Sequence, residues 1–239
     1  MAEGGISDLK DVERFERKFL LDEARALHFA KAIRPFLPAD SHGGERGYLV
    51  RSVYFDTPRD RDLKMALSGE DGRKKIRLRV YEPESYFAML ELKQKKGNLV
   101  RKRSLRIPRE DAERLLKGDF STLIADENRF IRELGQEMML GVYRPKCMVE
   151  YTREAYGVPE NNTRVTFDRQ LTVADGAPEL FSKSFAARPF GRLGTVVLEV
   201  KYAHFLLTYV NRALGESLMQ PESFSKYCLA RQSMKKGRV

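Results

Sequence analysis

The chain has 239 residues, within reach of one large β-rich domain, and 42% of them are hydrophobic, enough for a sizeable core. A formal charge of +10 and a pI of about 9.6 point to an anionic partner: nucleic acid, a membrane surface or a phosphorylated small molecule. Two cysteines without a CxxC pair and three scattered histidines argue against a disulfide framework, a zinc–thiolate site and a His-based metal site, so any metal would take carboxylate ligands, which suits Mg2+ or Mn2+.

Residues 1–10 are expected as a loose terminus, and the opening MAEGGISDLKDVERFERK holds no apolar h-region, so no signal peptide is expected. Residues 13–20 alternate and predict a strand. Residues 22–36 carry helical spacing, with Asp22 as N-cap and Pro35 near the end. Residues 47–56 are β-branched and aromatic and predict a strand ended by Thr57-Pro58, with a short helix over 58–67. Three strands follow at 73–82, 86–94 and 98–107, the last two joined by a tight hairpin at Lys96-Gly97-Asn98. Residues 108–117 and 126–140 predict helices. Residues 146–156 and 162–173 predict a second hairpin that turns at Pro159-Glu160-Asn161-Asn162. Residues 177–194, rich in Pro, Gly and Arg, predict a loop. A last strand is expected at 195–202 and helices at 204–214 and 222–234, before a basic tail over 235–239. No stretch approaches the ~20 apolar residues of a membrane span. About eight mostly hairpin-linked strands suffice to close an antiparallel barrel, with helices outside or plugging an end.

Strands send alternate side chains to opposite faces. Lys75, Arg77 and Arg79 share a face opposite Ile76, Leu78 and Val80. Arg14, Glu16 and Lys18 lie opposite Phe15 and Phe19; Glu91 and Lys93 opposite Leu90 and Leu92; Glu199 and Lys201 opposite Leu198, Val200 and Tyr202. Arg164, Thr166 and Asp168 lie opposite Val165 and Phe167. On 98–107, Lys102 is expected inward, because Leu99, Leu105 and Ile107 make the other face apolar. On 147–153, Arg153 shares a face with Tyr151 and Val149. In a flat sheet such faces simply meet water. In a closed barrel clad with helices the apolar faces turn outward and the charges line the lumen. Roughly ten cations in a lumen of lowered dielectric repel one another and call for a polyanion. Arg supplies forked donors to phosphate and Lys a point charge, while two or three glutamates together suffice for a divalent ion.

Single features also admit plain readings. Glu199 suits an ion pair with Lys201 or an arginine, Asp168 suits a turn cap, and Tyr54 and Asp56 suit barrel packing and a strand-end turn. Residues 204–214 read as ordinary core, and Cys147 and Cys228 as small buried hydrophobes. No aromatic platform interleaved with the basic positions and no RNP-like motif is evident, which speaks against RNA.

The ordered series RFERK, SVYFDT, KIRLR, LELK, VRKR, EYTREAY, TRVTFD, LEVK and SFSKY resembles the VTC domain, the polyphosphate polymerase branch of the triphosphate tunnel metalloenzymes (CYTH-like superfamily). The likeness runs from about residue 13 to 231 and treats 1–239 as a single domain. It implies an α+β fold: a closed eight-stranded antiparallel β-barrel, the triphosphate tunnel, with helices outside and at the tunnel mouth. It implies phosphate binding by Lys18, Arg77, Arg79, Lys93, Lys102, Arg153, Arg164, Lys201 and Lys226. Of these, Arg77, Arg79, Lys93, Arg164 and Lys226 are the catalytic set. Glu199, with Glu16 or Glu91, would hold Mn2+ or Mg2+. Arg14 occupies the first acidic position of the general tunnel signature Glu-x-Glu-x-Lys, and fewer carboxylates fit the polymerase branch better than the hydrolytic one. The implied reaction moves the terminal phosphate of a nucleoside triphosphate to a growing polyphosphate chain. The alternatives are an inorganic or organic triphosphatase and a non-catalytic polyphosphate-binding module. Nucleic acid is not an expected partner. A cytoplasmic place is expected, with a peripheral one at the inner face of a membrane as its variant, beside a membrane protein encoded separately.

Overall fold

The computed structural model describes residues 9–41, 43, 47–176, 180–216, 221–222 and 225–236. Its strands are β1 (Lys10–Leu21), β2 (Tyr48–Asp56), β3 (Arg73–Val80), β4 (Phe87–Lys96), β5 (Leu99–Pro108), β6 (Arg144–Val158), β7 (Thr163–Asp175), β8 (Arg188–Pro189) and β9 (Val196–Tyr202). The helices are α1 (Glu23–Ile33), α2 (Arg61–Ser68), α3 (Arg109–Leu116), α4 (Ser121–Ile124), α5 (Arg129–Leu140), α6 (Thr208–Glu216) and α7 (Lys226–Lys236). The strand order β6-β2-β3-β4-β5-β1-β9-β7 is closed by pairing of β6 with β7, so eight antiparallel strands form a barrel with no free edge. The short β8 lies outside the ring, paired to β7 within the expected 177–194 loop.

Alternation decides which way each strand faces. Ile76, Leu78, Val80, Leu90, Leu92, Leu105 and Ile107 point out of the barrel and pack under α3, α4 and α5. Phe19, Val165, Phe167, Leu198 and Val200 point out on the other side and pack under α1 and α6. Phe29 of α1 and Phe167, both fully buried, meet with ring centroids 6.1 Å apart. A third apolar cluster is internal: Val50, Tyr54, Cys147, Val149, Val173 and Val197 face Tyr227, Ala230 and Met234 of α7. Thus α7 plugs one end of the barrel and leaves the charged section of the lumen beyond it.

Asp56 ties this plug to the wall. Its carboxylate accepts from the backbone N–H groups of Thr57, Asp62 and Leu63, capping α2, and from the Tyr227 hydroxyl at 2.8 Å. Tyr227 also stacks on Tyr54, centroids 5.0 Å apart. Packing and a strand-end turn therefore describe part of the contacts of Tyr54 and Asp56; the Tyr54 hydroxyl also accepts from the Arg77 guanidinium at 2.9 Å.

Most element boundaries follow the sequence expectation. Asp22 accepts from the Arg25 N–H at 2.8 Å as the N-cap of α1. β1 starts at Lys10 because β5 pairs with it as far as Lys10–Ser104. The helix expected at 204–214 begins at Thr208, because Asn161 of the β6–β7 turn holds the N–H groups of Ala203 and His204. The helix expected at 222–234 begins at Lys226, with Ser225 Oγ accepting from the Cys228 N–H. The four-residue α4 was not expected. The loose terminus over 1–8, residues 177–179 of the loop, residues 223–224 of the last helix and 237–239 of the tail lie outside the described residues.

Replacing Asp56 by Ala strands three buried N–H donors and should cost about 3–5 kcal/mol of stability, and Tyr227→Phe about 1 kcal/mol. Urea unfolding of both variants measures this; an Asp56→Ala chain as stable as the parent would refute the tie.

Candidate functional site: a cation-lined lumen

Beyond the α7 plug the lumen is a cavity of about 130 Å³. Strand parity supplies its walls: Arg14, Glu16 and Lys18 from β1, Lys75, Arg77 and Arg79 from β3, Lys93 from β4, Lys102 from β5, Arg153 from β6, Arg164 from β7, and Glu199 and Lys201 from β9. Lys226, the first residue of α7, reaches in from the plug. Among the described residues eleven cationic side chains thus line the cavity against two lining carboxylates. Glu91 and Asp168, both buried, stand behind them.

The ion pairs described here centre on five carboxylates, Glu91, Glu199, Asp168, Glu16 and Asp40. Glu91 accepts from Arg77 Nε at 2.6 Å, with Arg79 at 3.6 Å and Lys102 also on it. Glu199 meets Lys201 at 2.8 Å, Lys226 at 3.0 Å and Arg153 at 3.7 Å. Asp168 accepts both arms of the Arg153 fork, at 2.6 and 2.7 Å, and Lys226 at 2.6 Å. Glu16 accepts from Lys93 at 2.5 Å and has Lys18 at 3.8 Å. Near the mouth far from α7, Arg164 pairs with Asp40 at 2.5 Å and donates to the Tyr48 hydroxyl at 2.9 Å. Arg14 and Lys75 face the cavity with no ion pair among the described residues.

Burial and charge oppose each other here. Burial pushes the Glu91 and Glu199 carboxyls up, but the surrounding arginines and lysines outweigh it and hold both well below the usual carboxylate range. At Lys75, Lys93 and Lys102 burial wins instead: it lowers Lys75 to about 7 and Lys93 and Lys102 to about 8, helped for Lys75 and Lys93 by Lys18 and for Lys102 by Arg77 and Arg79, whereas Asp168 and Glu199 outweigh burial at Lys226 and hold it above its ordinary range. Among the described residues, desolvation with few counter-charges leaves the cavity with a surplus of positive charge.

Every residue assigned in the sequence to phosphate binding lines this one cavity: Lys18, Arg77, Arg79, Lys93, Lys102, Arg153, Arg164, Lys201 and Lys226. The three glutamates divide. Glu16 and Glu199 are bridged by Lys18, 3.8 and 4.0 Å away, whereas Glu91 pairs with a different set of cations. Among the described residues no group of three His, Cys, Asp or Glu side chains assembles to hold a metal. Glu16 Oε1, however, is buried and accepts no hydrogen bond. That orphaned oxygen beside Glu199 fits a divalent ion whose remaining ligands are phosphate oxygens and water.

The sequence places Arg14 and Lys75 on the inward charged faces, beside Glu16 and Arg77, without assigning them to phosphate; both line the cavity. Asp168 is no turn cap but the bidentate partner of Arg153. The apparent lack of interleaved aromatics is corrected, because Tyr48, Tyr54, Tyr81 and Tyr151 line the cavity. Arg77 lies over Tyr54 and Arg153 over Tyr151, at 5.7 and 5.3 Å from the ring centroids. The register that interleaves them is a tertiary property.

Known proteins place this arrangement in context. The VTC domain model matches residues 13–235. No curated protein matches the chain. Among solved structures the fold is similar to a candidate adenylyl cyclase from Hippeastrum, described as having a dominant triphosphatase activity, at 16% identity over 92% of this chain and 96% of that chain, with a TM-score of 0.55. It is also similar to a candidate adenylate cyclase from Bacillus halodurans, at 14% identity over 90% and 95% of the two chains, TM-score 0.52. A conserved hypothetical protein from Pyrococcus furiosus gives 13% identity, 91% and 99% coverage and a TM-score of 0.51. At these identities the likeness speaks for the fold.

An anion in the lumen favours the charged amines and raises the depressed lysines. Inorganic tripolyphosphate should therefore bind with net uptake of about one proton near pH 8, and its affinity should fall by about tenfold or more between pH 6.5 and 9.5. Calorimetry in buffers of different ionisation enthalpy reads both; proton release on binding would contradict the assignment.

Proposed function

The chain belongs to the VTC domain family, and from that premise we propose that it is a metal-dependent polyphosphate polymerase, transferring the terminal phosphate of a nucleoside triphosphate to a growing polyphosphate chain inside the lumen. The observation that carries this reading is the convergence of eleven cations on one cavity, two of them in no ion pair among the described residues. A compact excess of arginine and lysine suits a run of phosphates better than it suits any singly charged substrate.

In this reading Arg77, Arg79, Arg153, Arg164, Lys93 and Lys102 hold phosphate oxygens, with Lys18, Lys201 and Lys226 completing the walls and Arg14 and Lys75 adding uncompensated charge. Glu199 and Glu16 would hold Mn2+ or Mg2+, which supplies charge neutralisation on the β- and γ-phosphates. An oxygen of the chain's terminal phosphate attacks the γ-phosphorus. A new P–O–P linkage forms, the bond from the γ-phosphorus to the β–γ bridging oxygen breaks, and the nucleoside diphosphate leaves with that electron pair. Phosphoryl transfer of this kind needs positioning and neutralisation and no protein nucleophile. Arg14 at the first acidic position of the tunnel signature supports a polyanion acceptor over water.

The second reading is a triphosphatase, in which water takes the acceptor's place; the activity described for the Hippeastrum protein of similar fold favours it. No helix among the described residues is long and apolar enough to cross a membrane. For a polymerase we place the chain in the cytoplasm or against the inner face of a membrane, with a separately encoded membrane protein to receive the product.

Incubation with ATP and Mn2+ should accumulate long-chain polyphosphate and nucleoside diphosphate; release of free phosphate alone would refute the polymerase and favour the hydrolase. Arg77→Ala should lower turnover by about 10²-fold or more. The fold should survive, because Glu91 keeps Arg79 and Lys102 as partners. Equal turnover in variant and parent would sink the assignment.

A further inference from the structure

The plug fills only part of its end of the barrel. The apolar side chains of α7 pack against β2, β6, β7 and β9. On the side of β1, β3 and β4 a second cavity of about 460 Å³ remains between α7, the end of α2 and the barrel wall. Its two sides differ chemically. The barrel side presents the amines of Lys18, Lys75 and Lys93, and the helical side presents Leu67, Cys228 and Leu229. Those three lysines also line the lumen, so the two cavities share one cationic wall. Within that wall Lys93 donates to Glu16, and Lys18 lies 3.8 Å from the same carboxylate. The Lys75 side chain makes no ion pair or hydrogen bond among the described residues. Register sets it opposite Lys93, and Lys18, Glu16 and Cys228 lie close enough to act on its charge.

An amine so placed is a nucleophile. Burial, with Lys18 and Lys93 adding to it, lowers Lys75 to about 7, so near neutral pH much of it carries no extra proton. Burial lowers Lys93, Lys102 and Lys201 too, but each of those points its amine at a carboxylate. A ligand that suits both sides of the cavity has a phosphate for Lys18, Lys93 and the neighbouring Arg77, an apolar end for Leu67 and Leu229, and an electrophilic carbon between the two. We infer that Lys75 is a self-acylation site whose donor is an acyl phosphate, held with its phosphate on the cationic wall and its acyl group against the helices. The Lys75 Nζ lone pair attacks the carbonyl carbon and a C–N bond forms. The C–O bond to the phosphate breaks, and phosphate leaves with that electron pair and with the proton lost from nitrogen. The cations that hold the phosphate stabilise it as the leaving group. The amide left on Lys75 is uncharged, so the lumen loses one of the two cations that form no ion pair among the described residues. This rests on the reading of the lumen as a phosphate site and adds to it a modification by a second class of phosphate compound.

The test follows acetylation of each lysine by peptide mass spectrometry with two donors: acetyl phosphate, and the N-hydroxysuccinimide ester of acetic acid, which carries the same acyl group and no phosphate. With acetyl phosphate, Lys75 should react about tenfold or more faster than the exposed Lys31, Lys64 and Lys117. Tripolyphosphate should suppress that advantage, and the ester should show a smaller one. The chain acetylated at Lys75 should bind tripolyphosphate about tenfold more weakly than the untreated chain. Lys75→Arg, which keeps a cation and offers no amine to acylate, should bind it within about twofold before and after the same treatment. Acetylation of Lys75 no faster than that of the exposed lysines, or an equal advantage with both donors, would overturn the site and leave the phosphate lumen standing. Failure of the parent to bind tripolyphosphate would overturn the lumen reading and the acylation site together.

Discussion

Like charges confined in a closed barrel are the constraint on which this molecule turns. Once β6 pairs with β7 the sheet has no edge and no second solvent face, so each side chain faces either helices or lumen. Apolar residues take the helical side, and alternation commits the charged ones to the interior. Burying one isolated cation costs several kcal/mol, and eleven are tolerated only because Glu16, Glu91, Asp168 and Glu199 each sit among two or more of them. The carboxylates stabilise the walls without balancing them. The residual charge appears in the lowered amines of Lys75, Lys93 and Lys102.

The plug gives this charged section its limits. α7 fills one end of the barrel with apolar side chains, and its first residue, Lys226, stands where the apolar and charged sections meet. Asp56, Tyr54 and Tyr227 fix that helix to the N-terminus of α2, and the Arg231 guanidinium adds a 2.8 Å contact to Asp60. Asp60 adopts a left-handed conformation, with φ 55°, in the turn that presents its carboxylate to Arg231. Strand ends and helix caps thus position a lysine that belongs, chemically, to the lumen.

Much of this was legible because strands have period two. Lys75-Ile76-Arg77-Leu78-Arg79 and Leu198-Glu199-Val200-Lys201 state their own inward faces, and the hairpin turn at Gly97 states which neighbours pair. The residues that alternation could not rank were those whose role depends on a partner across the barrel. Asp168 reads as a strand-end acid until β6 sets Arg153 opposite it, a pairing fixed by the irregular register between Glu150 and Thr152. Asp40 lies in a loop, where no period applies, and acquires its role only when β7 brings Arg164 to it. The tyrosines interleave with arginines of neighbouring strands, an arrangement set by stagger and invisible along any one strand.

The central claim is that these cations converge on a phosphate chain held inside the barrel. Its most direct test is a crystal soaked with inorganic tripolyphosphate and Mn2+, with the metal located by its anomalous scattering. The account predicts phosphate oxygens within hydrogen-bond reach of Arg77, Arg79 and Lys93 and a Mn2+ peak against Glu199 and Glu16. Tripolyphosphate bound only on the exterior, with the lumen ion pairs unchanged, would contradict it.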